Sequence, residues 1–250
     1  MAEKEKKNEV VVNLDTLGIP IAIVLAGIII ASVIYFINKN QNVNTADAGT
    51  KGTVTDDSGS SDTAGDVVAY LGDDPYLGNK DTAKVAVIDF SDYQCGYCQR
   101  HAKETYPSIK TNFIDTGKIV YVFKEFPLSS EGQIGFTTAH AAVCVFNLAG
   151  NDAYASFHKD AFFLTSESAV KKVATGLGVD GGKYDSCMKD SSIAEEMNAD
   201  RTEGSNAGIS GTPGFVIGVI GADGKVTGKL IAGAYPYETF EETINEMLNK

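Results

Sequence analysis

Two cysteines, Cys95 and Cys98, stand two residues apart in the stretch AVIDFSDYQCGYCQRHAKE, residues 86–104. Three chemistries use that spacing. The first is half of a four-thiolate zinc site. The remaining cysteines, Cys144 and Cys187, lie far off and far from each other, and there is no second Cys-x-x-Cys, so no metal is expected. The second is a structural staple, but a bridge between neighbouring turns closes a tiny loop and removes little chain entropy. The third is redox chemistry. A cysteine at a helix N-terminus meets unpaired backbone N–H groups and the positive end of the helix dipole. Both favour thiolate, the attacking form. Cys98, one turn further in, can then resolve the mixed disulfide.

Such a pair needs a strand before it and a helix under it. KVAVIDF, Lys84 to Phe90, is a short, apolar, β-branched run that reads as a buried strand. A helix is expected from about Cys95, with Pro107 marking a kink or break and Gly117 closing it. KIVYVFKEF, Lys118 to Phe126, reads as a second strand, and the three together make a right-handed βαβ unit. From Ser129 to about Gly208 apolar residues recur at helical spacing, which predicts a block of four or five helices. GFVIGVI and KLIAGA then read as paired strands around the Asp-Gly turn at Asp223. The last segment is an amphipathic helix with Phe240, Ile244, Met247 and Leu248 on one side. The fold class is therefore α/β, in the order βαβ, helical insertion (about 129–208), ββα.

The chain of 250 residues carries a formal net charge of −12, which disfavours nucleic acid as a partner. Leu17 to Ile37 holds no charge. As a helix rising ~1.5 Å per residue it spans ~31 Å, close to the ~30 Å hydrocarbon core of a bilayer. The run is too long for a signal-peptide core, so an uncleaved transmembrane helix is expected. Lys4, Lys6 and Lys7 precede it and only Lys39 closely follows. The positive-inside rule then leaves residues 1–16 as a cytoplasmic tail and the C-terminal bulk outside, in a single-pass protein of the cell membrane. Residues 38–65 are rich in Gly, Ser, Thr, Asn and Asp, which predicts a disordered linker. The folded part is then 66–250. An even number of cysteines on the oxidising side is compatible with disulfides.

VIDFSDYQCGYC resembles the active-site segment of the thioredoxin superfamily: apolar strand, acid, aromatic, then Cys-x-x-Cys. SGTPGFVIG resembles that fold's cis-proline loop, with Thr212 before Pro213. The helices between them match the insertion of the DsbA-like thiol:disulfide oxidoreductases, in their extracytoplasmic thioredoxin-like branch. DDPYLGNKDTAKVAVIDFSDYQCGYC, FKEFPL, AAVCVFNLAG and YDSCMKDSSIAEEMNADRTEGSNAGISGTPGF look like successive blocks of that branch, and the resemblance covers nearly all of 70–250.

The resemblance implies a thioredoxin fold and roles residue by residue. Cys95 corresponds to the exposed nucleophile and Cys98 to the buried resolving cysteine. Pro213 matches the proline facing the disulfide. Thr212 would offer backbone groups to an extended substrate, and Tyr97, between the cysteines, joins them in substrate contact. Gly214 departs from the pattern, since the family commonly has Thr or a larger residue there. Asp89, six residues before Cys95, holds the position of a buried acid in many relatives. A strand-end residue reaching water is the alternative; a proton acceptor for Cys98, with Lys124 on the next strand as its charge partner, is the reading favoured here. His101 and Arg100 are either solvated helix positions or groups that depress the Cys95 pKa. His140 and His158 read as structural. Cys144 and Cys187 fall in blocks where relatives often carry cysteine. They are either a structural disulfide, worth roughly 4 kcal/mol for a loop of ~44 residues, or two buried thiols.

Chemistry sets thiol–disulfide exchange but not its direction, which depends on the reduction potential. Gly96-Tyr97 is not the Pro-His of the strongest oxidants and also occurs in disulfide isomerases. Those usually carry a separate dimerisation domain, for which 38–65 is too short and polar. An oxidase of exported proteins is therefore expected, with no cofactor and with a membrane or soluble redox partner to recycle the pair. Disulfide isomerase or reductase, and a tethered chaperone-like peptide binder, are the alternatives.

Overall fold

A computed structural model describes residues 66–250. The expected span at 17–37 and the expected linker at 38–65 lie outside the described residues. A six-stranded sheet has the order β1-β6-β5-β3-β4-β2. Its strands are β1 (Val67–Tyr70), β2 (Tyr76–Leu77), β3 (Val85–Ser91), β4 (Ile119–Glu125), β5 (Gly214–Ile220) and β6 (Lys225–Ala232). β3 and β4 are parallel, as a βαβ crossover requires, and every other pairing is antiparallel. β1 and β2, at the two edges, are additions to the expected order. At two to four residues they are too short to display a period of two.

All seven residues of β3 are buried, which suits its central place and its continuous apolar run. Alternation divides the sheet into two cores. Val85, Val87, Ile119, Tyr121 and Phe123 face one, shared with the helix after β3, the C-terminal helix and the insertion. Ala86, Ile88, Phe90, Val120 and Val122 face the other, closed by Ala207 and Ile209.

The crossover helix, α1 (96–114), is not broken at Pro107. Its backbone widens to a π-turn over His101–Thr105, returns to α over Tyr106–Ile109, and widens again over Lys110–Ile114. A proline removes one N–H and crowds the preceding turn, and a widened turn absorbs both effects without ending the helix. Four helices form the insertion: α2 (Ile134–Ala161), α3 (Glu167–Gly176), α4 (Gly181–Cys187) and α5 (Ser191–Asn206). α2 is interrupted at Gly150, whose φ of 80° is one that other residues rarely adopt. Cys144 of α2 and Cys187 of α4 are joined by a disulfide. The C-terminal α6 (Tyr237–Leu248) buries Phe240, Ile244 and Met247 against the first core. Each such side chain contributes about 1.5–3 kcal/mol, enough to dock the helix firmly.

The single-pass membrane localisation expected from the sequence is corrected: among the described residues no helix is long and apolar enough to cross a membrane. The longest, α2, carries Asn147, Asp152, His158 and Lys159 besides its break.

Candidate active site

The β3–α1 junction places the two cysteines in opposite environments. Cys95 is the N-cap residue, with extended backbone (φ −77°, ψ 120°). Its side chain makes no capping bond and the first turn holds no acid, so the N–H groups of that turn remain available to a sulfur anion. The Cys95 thiol donates to the Thr212 carbonyl at 3.2 Å, across 117 residues of sequence. Thr212 precedes Pro213 through a cis peptide bond. Cys98 is 1% exposed and accepts from the Asp92 N–H at 3.5 Å.

These environments separate the two thiols. A hydrogen bond from the Cys98 thiol holds the Cys95 pKa down at about 5. Partial burial opposes this shift, while Thr212 and the N–H groups of Cys98 and Tyr97 reinforce it. Among the described residues the buried Thr212 hydroxyl has no partner while Cys95 is a thiol, and it supports the thiolate. Burial pushes Cys98 far above the ordinary thiol range, and its hydrogen bond to Cys95 and the charge of Asp89 push the same way.

Asp89 is 3% exposed, on the α1 side of the sheet, and does not reach water as a strand-end residue would. Ser91 Oγ donates to its Oδ1 at 2.5 Å and Tyr121 Oη to its Oδ2 at 2.9 Å. Burial raises its pKa to about 6, and the two hydroxyls hold it from going higher. Lys124 is not its partner. Asp89 pairs with Phe123 and Lys124 with Phe90, so Lys124 projects from the opposite face. There it binds Asp74, Asp200 at 3.0 Å and Glu203 at 3.3 Å.

The other residues singled out from the sequence divide similarly. His101 is neither solvated nor beside Cys95. It is buried, with Nε2 3.3 Å from the Tyr121 hydroxyl, and burial lowers its pKa to about 3. Arg100 donates to the Ala234 carbonyl at 2.8 Å and lies 5.1 Å from the centre of the Tyr97 ring. Tyr97 is 62% exposed beside the nucleophile. His140 bonds the Cys187 carbonyl at 3.1 Å. His158 bonds the Tyr93 hydroxyl at 2.9 Å, and Tyr93 and Tyr154 both donate to buried Glu125 at 3.0 Å. That cluster joins the active-site loop to the insertion. Gly214 leaves no room for a larger residue, because a Cβ there would meet Ile209 Cγ2 at 2.7 Å.

Sequence reasoning missed Ser91 and Tyr121. A serine at a strand end and a tyrosine in an apolar strand carry no local sign of a shared carboxylate. Among the described residues no group of His, Cys, Asp and Glu is arranged to hold a metal.

Strand, cysteine pair, crossover helix, helical insertion and cis-proline loop define a thioredoxin-like protein with a DsbA-like insertion. The thioredoxin family model matches residues 71–246, and the chain belongs to that family. Disulfide bond formation protein D of Bacillus subtilis is 27% identical over 124 residues, half of this chain and 54% of that protein. This chain spans about half the length of the curated relatives it matches. Among solved structures, the thiol-disulfide exchange protein alpha-DsbA2 of Wolbachia pipientis is 27% identical, with a TM-score of 0.56 over 69% of this chain and 86% of that one. Alpha-DsbA1 of the same organism superposes with a TM-score of 0.60 at 23% identity, over 72% of this chain and 92% of that one.

Proposed function

We propose that this chain is a thiol:disulfide oxidoreductase that introduces disulfides into proteins through Cys95 and Cys98, with residues 66–250 as the catalytic unit. The observation that carries the reading is the split between the two thiols: one lowered to about 5 at a helix start, the other buried and raised. The name of the Bacillus subtilis relative, a disulfide bond formation protein, supports it.

In the oxidising direction a substrate thiolate attacks the Cys95 sulfur of the disulfide form. The Cys95–Cys98 bond breaks, and Cys98 leaves and takes up a proton. A second substrate thiolate then attacks the substrate sulfur of the mixed disulfide and expels Cys95 as a thiolate. The substrate loses two electrons and the pair gains them. In the reverse direction Asp89, ionised above about pH 6, accepts the Cys98 proton as Cys98 attacks the mixed disulfide. Thr212, beside Pro213, lends main-chain groups to an extended substrate, and the exposed Tyr97 ring contacts its side chains. Every unit by which the Cys95 pKa falls favours the dithiol form by about 1.4 kcal/mol, which makes the disulfide an oxidant. The Cys144–Cys187 disulfide fits a chain that works on cysteine-bearing proteins in an oxidising compartment. A redox partner that withdraws two electrons from the dithiol must recycle the pair.

The test is stoichiometric. Oxidised protein mixed with a reduced two-cysteine peptide should yield oxidised peptide and reduced protein within one turnover. An equilibrium that leaves the peptide reduced, with insulin reduction proceeding readily instead, would assign the chain to the reductases or isomerases.

A further inference from the structure

In the oxidising direction the negative charge of the attacking substrate sulfur ends on Cys98. That sulfur belongs to a residue 1% exposed, so water does not solvate it. Burial, and more weakly the charge of Asp89, oppose its ionisation. An anion left there without a donor is costly. Among the described residues one main-chain group donates to it, the Asp92 N–H at 3.5 Å.

That N–H is held from several sides. The Ser91 carbonyl, at the other end of the same peptide unit, accepts from the Phe126 N–H at 2.9 Å, so the peptide plane cannot turn over. The Asp92 carbonyl accepts from the Cys95 N–H at 3.1 Å and closes the turn that leads into α1. The buried Asp92 carboxylate accepts from the Gln94 N–H at 2.7 Å through Oδ1 and from the Leu128 N–H at 2.8 Å through Oδ2. Oδ1 also abuts the first turn of α2, where a Cβ on Gly135 would stand 3.4 Å from it. The positive end of that helix suits a buried carboxylate. Residue 92 thus ties the active-site turn both to the end of β4 and to the start of the insertion.

We propose that the Asp92 N–H is the donor that receives the charge on the Cys98 sulfur as the Cys95–Cys98 bond breaks and forms, and that the Asp92 carboxylate is the positioning group that keeps this N–H aimed. A substrate thiolate forms a bond to the Cys95 sulfur, the Cys95–Cys98 bond breaks, and its electron pair leaves on Cys98. The N–H is already in place to meet that charge, and a proton then follows. The reverse attack of Cys98 on a mixed disulfide passes through the same anion. A donor fixed in advance where charge develops lowers the barrier. It does so in both directions, and therefore does not choose between oxidation and reduction. The role rests on the reading of Cys95 and Cys98 as an exchange pair, and not on the direction in which the pair works.

The test is stopped-flow exchange between the full-length protein and a two-cysteine peptide, measured in both directions. Three forms are compared with the unsubstituted protein: Asp92→Ala, Asp92→Asn, and a chain with an ester in place of the Ser91–Asp92 amide. The ester removes the N–H and leaves the carboxylate. Asp92→Ala and the ester should slow attack on the disulfide and its re-formation by the same factor, about tenfold or more, leaving the equilibrium constant with the peptide within about twofold. Asp92→Asn keeps one acceptor oxygen and should fall between. In the ester the alkylation profile of Cys95 should not move. Unchanged rates in the ester overturn the proposal. So does faster exchange in Asp92→Asn, the result expected if the acid acted only through its negative charge. Slowing in one direction alone, with a displaced equilibrium, would assign Asp92 to the stability of one redox state and overturn it likewise. The ester decides the matter even if Asp92→Ala fails to fold, because the bond it removes lies outside the sheet ladder and the helices. An unsubstituted protein that exchanges in neither direction would defeat the redox reading itself, whereas normal exchange there with unslowed variants defeats only the role of Asp92.

Discussion

Lys124 and Asp89 sit on adjacent parallel strands yet project from opposite faces of the sheet, because Lys124 is in register with Phe90 and not with Asp89. The buried acid beneath the cysteine pair is therefore held by two hydroxyls, and the lysine serves a separate ionic cluster. Several consequences of this division are measurable.

Asp89→Asn should stabilise the reduced protein at neutral pH. The folded pKa of about 6 lies above the ordinary 3.8. Below pH 3.8 the carboxyl is protonated in both folded and unfolded chains and has no effect. Between pH 3.8 and about 6 the unfolded chain ionises while the folded one holds its proton, so stability falls as pH rises, and above 6 the penalty is complete. About two units correspond to roughly 3 kcal/mol. Urea unfolding at pH 7.5 should show a gain of that order that disappears at pH 3.5; an equal gain at both pH values would show that ionisation is not its cause.

The same variant should resolve a Cys95 mixed disulfide slowly near neutral pH, with the defect shrinking as hydroxide replaces the carboxylate. Stopped-flow measurement from pH 6 to 9 reads this directly. A pH-independent rate equal to that of the unsubstituted protein would falsify the assignment of Asp89 as proton acceptor.

Cys95 should react with iodoacetamide with a midpoint near pH 5, and Cys98 should stay unmodified across the neutral range. Cys98→Ala should accumulate mixed disulfides on Cys95, since nothing remains to resolve them, whereas Cys95→Ala should trap almost none. Peptide mapping that found Cys98 alkylated first would reverse the roles.

Lys124→Met should destabilise the fold by about 3–5 kcal/mol, because it leaves Asp74, Asp200 and Glu203 buried or half-buried without their cation. The pH profile of thiol exchange should be unchanged. A shifted profile would mean that the lysine reaches the cysteine pair through the sheet.

Gly214→Thr should destabilise by about 1–3 kcal/mol through overpacking against Ile209, and adding Ile209→Ala should recover much of that loss. Additive losses in the double variant, read from thermal melts, would locate the glycine requirement elsewhere.

What the sequence by itself determined were features with a local period or a local chemistry. The Cys95–Cys98 pair shows itself through spacing and a helix start, the βαβ and ββα halves through apolar runs and turns, and the insertion through its helical periodicity. Tertiary structure alone decided which groups meet. Whether Lys124 or Tyr121 serves Asp89 depends on a one-residue step in side-chain alternation, which both residues fit from composition alone. His101 is written as an ordinary polar helix residue and becomes buried only because Phe215 and Phe240, more than a hundred residues later, close over it. Gly214 is required because of Ile209, which the preceding turn brings against its α-carbon. Burial and pairing are properties of distant segments packed together, and a single position in a sequence does not carry them.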